Sequence, residues 1–432
     1  MQFRQSLDNL TGSAFQQLTG VLVFLVVPAV LGVEEFGQVV FILTLWSFLA
    51  FSDLGFAYIY NRRMPGFHAD ADAGRIAFWD ATILRWRLAG AAVLGAGAAL
   101  VYGAKYGHAP SSLLVAVVPV VSTLTVFCVA QATAKAAFRE VRDLKLAQAT
   151  VRLLIIPCVL LWSLPGWFIG QLVAAVPLLT GKTVYRTLRG TFSAGARFDW
   201  SLIRENLGAA LLLGTVAGLW GQILSIARLL ASFQYPDATI AVYGLVNAGF
   251  QIVMMTLVSI YAPISIRANA LFAKDPAQAL RYVSDRNRIV LPAFMAIALA
   301  AILAGPPVLR ALFPAYALDD AIVLPLLLSL LHVPAIVMFG ALLVGAGKYK
   351  GYLAALAAGL VLCVLIATLC EPRLGTAAAA VSQFVGLGAL VVMLYFAAMS
   401  GPTIPGQSRW RLALPALFSV AVLVVWAVVE PR

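Results

Sequence analysis

The strongest constraint on this chain is a succession of apolar runs, each about as long as a bilayer-crossing helix of some 20 residues, separated by short segments rich in Lys and Arg. The first two runs, Thr11–Val33 and Phe36–Tyr60, meet at the polar elbow Glu34-Glu35-Phe36-Gly37, and the second ends in Asn61-Arg62-Arg63. Backbone in hydrocarbon must satisfy its own hydrogen bonds. Long runs without strict alternation therefore predict an all-α polytopic bundle rather than a barrel. Composition agrees: of 432 residues, 62% are hydrophobic and 11% charged, too little charge to cover a soluble surface of that size. The first run, with Gln16 and Gln17 inside it and only Arg4 ahead of it, reads as an uncleaved helix rather than a signal sequence.

Thirteen helices are expected: 11–33, 36–60, 86–104, 112–134, 149–164, 166–185, 206–231, 240–263, 288–312, 321–345, 351–370, 375–397 and 411–429. The break between the fifth and sixth is placed at Pro165-Gly166, and Arg75–Arg87 reads as an interfacial segment before helix three. With a cytoplasmic N-terminus and alternating loops, all but five of the 30 Lys and Arg fall on the cytoplasmic side, the five being Lys105, Arg228, Arg310, Arg373 and Arg432. The positive-inside rule thus supports the count. The net charge of +12 is mainly an orientation signal suited to an anionic leaflet. No basic domain stands outside the membrane, so nucleic acid is not an expected partner. The loops are too small to fold alone, which argues against a soluble catalytic or ATPase domain.

Asn9-Leu10 and Asn206-Leu207 open helices one and seven, and Phe36-Gly37 and Tyr243-Gly244 stand at helices two and eight. Six helices separate each pair. The pattern is that of two six-helix lobes related as parallel repeats, with residues 1–205 as the N-lobe, 206–400 as the C-lobe and 401–432 as an additional C-terminal helix.

No catalytic or metal constellation emerges. Gly181-Lys182-Thr183 lacks the earlier glycine of a phosphate-binding loop, because position 176 is Val. Cys128, Cys158, Cys363 and Cys370 all lie in apolar runs without metal-ligand spacing. No cofactor is expected. Polar groups at membrane depth carry more information, because they are costly there and often face a cavity. They are Gln16, Gln17, Asp53, Gln131, Gln222, Arg228, Asn247, Gln251, His332 and Gln383. Asn247 and Gln251 share a helix face. Asp53 and His332 are the candidate ion-coupling groups, His332 because an imidazole titrates near neutral pH. Helix–helix hydrogen bonding explains the amides equally well, and Asp53 also fits a structural role with Arg62, Arg63 or a helix end. Prolines inside the runs, and Gly214-Thr215-Val216-Ala217-Gly218, predict kinks and close helix contact.

Several motifs, in order along nearly the whole chain, resemble the polysaccharide transporter family, the O-antigen and exopolysaccharide flippases of the MOP (multidrug/oligosaccharidyl-lipid/polysaccharide) exporter superfamily. They are Phe36-Gly37 with Asp53-Leu54-Gly55 and Arg62-Arg63; Gln131 with Ala136-Ala137-Phe138-Arg139; Tyr243-Gly244 with Ala262-Pro263-Ile264-Ser265; Leu312-Phe313-Pro314-x-Tyr316; Gly345-Ala346-Gly347-Lys348; and Leu374-Gly375-x-Ala377-Ala378. Where the family often has an acid followed by a base in helix seven, Ile226-Ala227-Arg228 keeps only the base.

The resemblance implies two lobes around a central cavity and alternating-access flipping of undecaprenyl-pyrophosphate-linked oligosaccharide in a bacterial inner membrane. Membrane lipid, and polymerase and other polysaccharide-assembly proteins, are the implied partners. Arginine suits phosphate oxygens, so the candidate substrate contacts are Arg63, Arg139, Arg228 and Arg267 together with Gln16, Gln17, Asn247 and Gln251. A multidrug or toxin exporter of the same superfamily is the alternative. It needs intramembrane acids, and Asp53 alone qualifies. A polymerase or glycosyltransferase of the same pathway is a further alternative, which would need a large extramembrane loop. The expected protein is a transporter and not an enzyme.

Overall fold

The computed structural model describes residues 2–399 apart from 71, 108–109, 136, 194–197 and 273–274, together with 416–417 and 420–423. The thirteenth helix expected at 411–429 lies almost wholly outside the described residues. The described chain is helical with no strand, and its contacts divide it into two compact units, Met1–Gly218 and Leu219–Arg432. Among the described residues, ten helical stretches are long and apolar enough to span a bilayer, and Ala14–Val30 is a shorter apolar one.

The first unit begins with α1 (Gln2–Val30), α2 (Val33–Trp46), a 3-10 turn at Ser47–Phe51, α3 (Phe56–Ala69), α4 (Ala73–Tyr106) and α5 (Pro110–Ala134). Glu34 and Glu35 stand in the first turn of α2, where a carboxylate meets the positive end of the helix dipole. Helix two of the sequence reading is therefore broken, at residues 52–55. The segment from Arg75 is not a separate interfacial piece either. Asp72 caps α4 by accepting from the Arg75 amide at 2.9 Å, and the helix then runs unbroken for 34 residues, about 50 Å at 1.5 Å per residue.

Next come α6 (Phe138–Arg152), α7 (Ile155–Thr180), α8 (Lys182–Ser193) and α9 (Trp200–Ile223), the last crossing the boundary between the units. Within α7 the chain doubles back at Ser163, whose backbone is at φ 51° and ψ −132°. A Cβ on Gly166 would lie 1.9 Å from the Cys158 carbonyl oxygen, and one on Gly170 would lie 2.8 Å from Ile155 Cα. In a straight helix Ile155 and Gly170 would stand about 22 Å apart. The two arms are thus an antiparallel pair, and the first arm continues α6. The reversal falls two residues before the expected Pro165-Gly166. Proline at the start of a helix loses no hydrogen bond, and Gly166 gives the arms their close approach.

The second unit contains α10 (Ile226–Gln234), α11 (Asp237–Phe272), α12 (Pro276–Leu312), α13 (Asp320–Leu328), a 3-10 turn at Ser329–His332, α14 (Val333–Gly345), α15 (Tyr349–Leu369), α16 (Glu371–Leu374) and α17 (Ala378–Met399). Asp275 and Asp319 cap α12 and α13. Helix seven of the sequence reading is interrupted at Ser225, which separates α9 from α10. Helix ten becomes α13, the 3-10 turn and α14, with Pro334 in the first turn of α14 where it is tolerated. α17 packs on α13, α14 and α15 and is the buried centre of this unit.

Candidate functional site

The break after α2 is held from all sides. Leu54 and Gly55 both have positive φ, 49° and 87°, and at 55 only glycine fits: a Cβ there would lie 2.1 Å from the Ala210 carbonyl oxygen. One on Gly214 would meet the Gly55 nitrogen at 2.4 Å, and one on Gly218 the Phe51 ring at 2.2 Å. The small-residue contact expected of Gly214 and Gly218 is therefore made against this turn. Asp53 sits at its apex, 7% exposed. Its carboxylate accepts from the Gly55 amide at 2.8 Å and the Ala57 amide at 3.3 Å, covering donors that the start of α3 would otherwise leave unmet. It pairs with Arg87 at 3.4 Å, and its carbonyl accepts from Trp86 Nε1 at 3.1 Å. The expected helix-end role is thus met by these amides, and among the described side chains the ion-pair partner is Arg87 and not Arg63. Arg63 is exposed and lies over the Trp79 ring at 5.5 Å.

A second carboxylate in this unit escaped the sequence reading. Asp80 on α4 is 3% exposed. It accepts from Tyr60 Oη at 2.5 Å and from the Gln131 side-chain amide, while Gln131 Oε1 accepts from Lys135 Nζ at 3.1 Å. Tyr60 and neighbouring Phe127, Ile83 and Leu84 are buried in the same apolar cluster. Nearby, burial holds the His68 imidazole below its ordinary pKa, and the charge of Lys135 pushes the same way. One signal could have found Asp80: it is the only acid between Trp79 and Leu84, a stretch otherwise made of apolar residues and Thr82.

The α1–α6 face brings a third set together. Gln16 donates to Gln148 at 2.9 Å. Gly12 lies against Arg142 and Lys145, where a Cβ would come within 3.2 Å of Lys145, and a Cβ on Gly20 would stand 3.7 Å from Arg152 Nη1. Gln17 is half-buried on the same helix. Among the expected contacts, Gln16 thus has a defined partner, whereas Arg139 is exposed near the start of α6.

In the second unit, His332 is fully buried in the 3-10 turn between α13 and α14, its ring 5.2 Å from that of Phe384. Neither ring nitrogen has a hydrogen-bond partner among the described residues, nor do Gln383 Nε2 on α17 and Asn247 Oδ1 on α11. Both helices pack on the 3-10 turn. Ser329 and Ser382 satisfy themselves on carbonyls of their own helices. Gln251, one turn beyond Asn247, is half-buried, as is Arg228 on α10. Arg267 is exposed at the end of α11, over the Tyr282 ring at 5.4 Å. No group of three or more His, Cys, Asp or Glu among the described residues could hold a metal ion.

The fold is similar to that of solved membrane transporters, among them one of the MOP superfamily. It is similar to the lipid II flippase MurJ in an inward closed conformation, with a TM-score of 0.65 at 10% identity over 100% of this chain and 94% of that one. It is also similar to an inward-facing multidrug resistance transporter of the MATE family, with a TM-score of 0.57 at 12% identity over 99% and 96% of the two chains. A third likeness is to the MATE multidrug transporter DinF-BH in a ligand complex, with a TM-score of 0.59 at 15% identity over 91% and 94%. No family profile and no curated protein sequence matches the chain.

Proposed function

We propose that this protein is a flippase that carries undecaprenyl-pyrophosphate-linked oligosaccharide repeat units across the bacterial inner membrane, by alternating access, for surface polysaccharide assembly. The observation that carries this reading is the full-length likeness to a lipid flippase, which spans essentially all of both chains. The ordered motifs from Phe36-Gly37 to Leu374-Gly375 support the polysaccharide branch. In this reading residues 1–205 and 206–400 form two parallel six-helix repeats and the N-terminus is cytoplasmic. Gln16, Gln17, Arg63, Arg139, Arg228, Asn247, Gln251 and Arg267 are candidate substrate contacts, and Asp53 and His332 candidate ion-coupling groups. A polymerase would act beside it. The chain itself supplies a path for its substrate and makes no covalent bond.

Multidrug export is the second reading. The buried carboxylates Asp53 and Asp80 favour it, as does the likeness to two multidrug transporters. Both carboxylates, however, already accept hydrogen bonds from protein donors, which lowers their value to a cationic drug.

Depletion of the protein separates the readings. The flippase reading expects lipid-linked repeat units to accumulate on the cytoplasmic leaflet, with synthesis intact and surface polymer lost. Unchanged surface polymer together with hypersensitivity to cationic dyes would establish the second reading instead.

A further inference from the structure

Arg152 lies at an unusual depth. The turn after α1, at Leu31, and the reversal at Ser163 belong to one end of the first unit, because Ser163 Oγ donates to the carboxylate of Glu35. Eleven residues lead from Ser163 back to Arg152, and eleven from Leu31 back to Gly20. Each path is on the order of 16 Å along a helix, and the hydrocarbon core is about 30 Å thick. Gly20 and Arg152, whose Nη1 lies 3.7 Å from where a Cβ on Gly20 would stand, are therefore at mid-membrane. Charge pattern alone groups Arg152 with the basic loop residues Arg139, Arg142 and Lys145.

The arginine lies on the side of α6 that meets α1. Lys145, Gln148 and Arg152 fall on one side of the helix, and each meets α1: at Gly12, Gln16 and Gly20 in turn. Ala147, Thr150 and Leu154, exposed, take the opposite side. Arg152 itself is exposed, and it forms no ion pair among the described residues. From mid-membrane its side chain is too short to reach either interface. An unpaired guanidinium at this depth is costly, and the glycine opposite leaves room beside it.

We propose that Arg152, backed by the Gln16–Gln148 pair, is a phosphate-binding site at mid-membrane depth, where the pyrophosphate of the lipid-linked substrate rests between leaflets. The inference rests on the flippase reading and assigns a residue to it. The guanidinium takes two phosphate oxygens through its paired N–H groups. The Gln148 side-chain amide, one turn away, supplies a neutral donor. Lys145, two turns toward the basic end, attracts the anion to the path.

The test measures binding to the purified full-length protein in micelles with four probes: farnesyl pyrophosphate, farnesol, inorganic pyrophosphate and a cationic rhodamine dye. Wild type is expected to bind farnesyl pyrophosphate. Arg152→Gln should weaken that binding by about tenfold or more, the range of a charged hydrogen bond. Arg152→Lys should retain part of it, and Arg186→Gln, at an exposed position of α8, all of it. Farnesol binding should not depend on Arg152. Gly20→Val, which keeps the arginine but crowds it, should weaken binding as well. It guards against a folding defect in the Gln variant. Equal farnesyl pyrophosphate binding by wild type and a folded Arg152→Gln would overturn the assignment and leave the flippase reading standing. Binding of inorganic pyrophosphate as tight as that of the prenylated probe would refute the lipid-linked occupant. Binding of the dye alone by wild type would bring down the flippase reading and the assignment together.

Discussion

The two units differ in how the polar groups at their centres are satisfied. In the first, Asp53, Asp80, Gln131 and Gln16 all have named partners, and the spans wholly within it are at most 44% buried. In the second, His332, Gln383 and Asn247 keep unsatisfied atoms, and the stretches 320–345 and 371–399 are 83% and 78% buried. The first unit ties its helices together by directed side-chain bonds. The second fixes its geometry by surrounding two central helices with apolar side chains. A buried group without a hydrogen-bond partner costs about 1–3 kcal/mol; in the second unit such atoms gather around the 3-10 turn, on His332, Gln383 and Asn247, whereas those of the first, His68 Nε2, Arg87 Nε and Ser112 Oγ, are spread over α3, α4 and α5.

Four measurements bear on this contrast. The largest effect is expected from Gly214→Leu, because a Cβ at 214 already meets the Gly55 nitrogen at 2.4 Å. Little monodisperse protein should be recovered in size-exclusion chromatography, whereas Gly208→Leu, with nothing within 4 Å, should behave as wild type. Asp80→Ala comes next. It strands the Tyr60 hydroxyl and the Gln131 amide and should cost about 2–5 kcal/mol by denaturant unfolding, against about 1–2 kcal/mol for Tyr60→Phe. A neutral outcome for Asp80→Ala would break the contrast from the first unit's side.

In the second unit the sign should reverse. His332→Phe removes two unsatisfied nitrogens next to Phe384 and should raise the unfolding temperature, by an amount corresponding to about 1 kcal/mol. A loss as large as that of Asp80→Ala would mean that His332 is as well satisfied as Asp80. The smallest effect concerns Tyr235, outside the spans, whose hydroxyl donates to Glu371 at 2.9 Å. Burial, and then this bond, raise its pKa to about 12, above an unfolded value of about 10. The associated stability is fully present below pH 10 and lost as pH rises toward 12. Wild type should therefore lose a small increment of unfolding temperature across that window that Tyr235→Phe lacks.

Much of this fold was legible because long apolar runs admit few structures in lipid. The Gly214–Gly218 contact was legible because small residues four apart have little other use. The Asp53 turn was not, since Asp53-Leu54-Gly55 is too short to interrupt an apolar run visibly, and the need for positive φ at Leu54 is not written in leucine. Asp80 was hidden by its neighbours. Arg75, Arg85 and Arg87 on the same stretch made a continuous helix look like an interfacial one. Arg152 was hidden by sequence proximity to Lys145, which a helix converts into a depth difference of about 10 Å. In each case the missing information was a third dimension, not a residue type.

The reversal at Ser163 also constrains how the chain enters a membrane. The arm before it carries Lys145, Gln148 and Arg152, which make it a poor candidate for insertion by itself, since a central Arg or Lys costs about 2.5–3.5 kcal/mol on insertion scales. The arm after it is apolar from Leu164 to Thr180 apart from Gln171. No hydrophilic loop separates the two, so there is no pause at which the first arm could be released to lipid before the second emerges. Biogenesis must therefore treat residues 138–180 as one cargo, in which the later arm carries the earlier one into the bilayer.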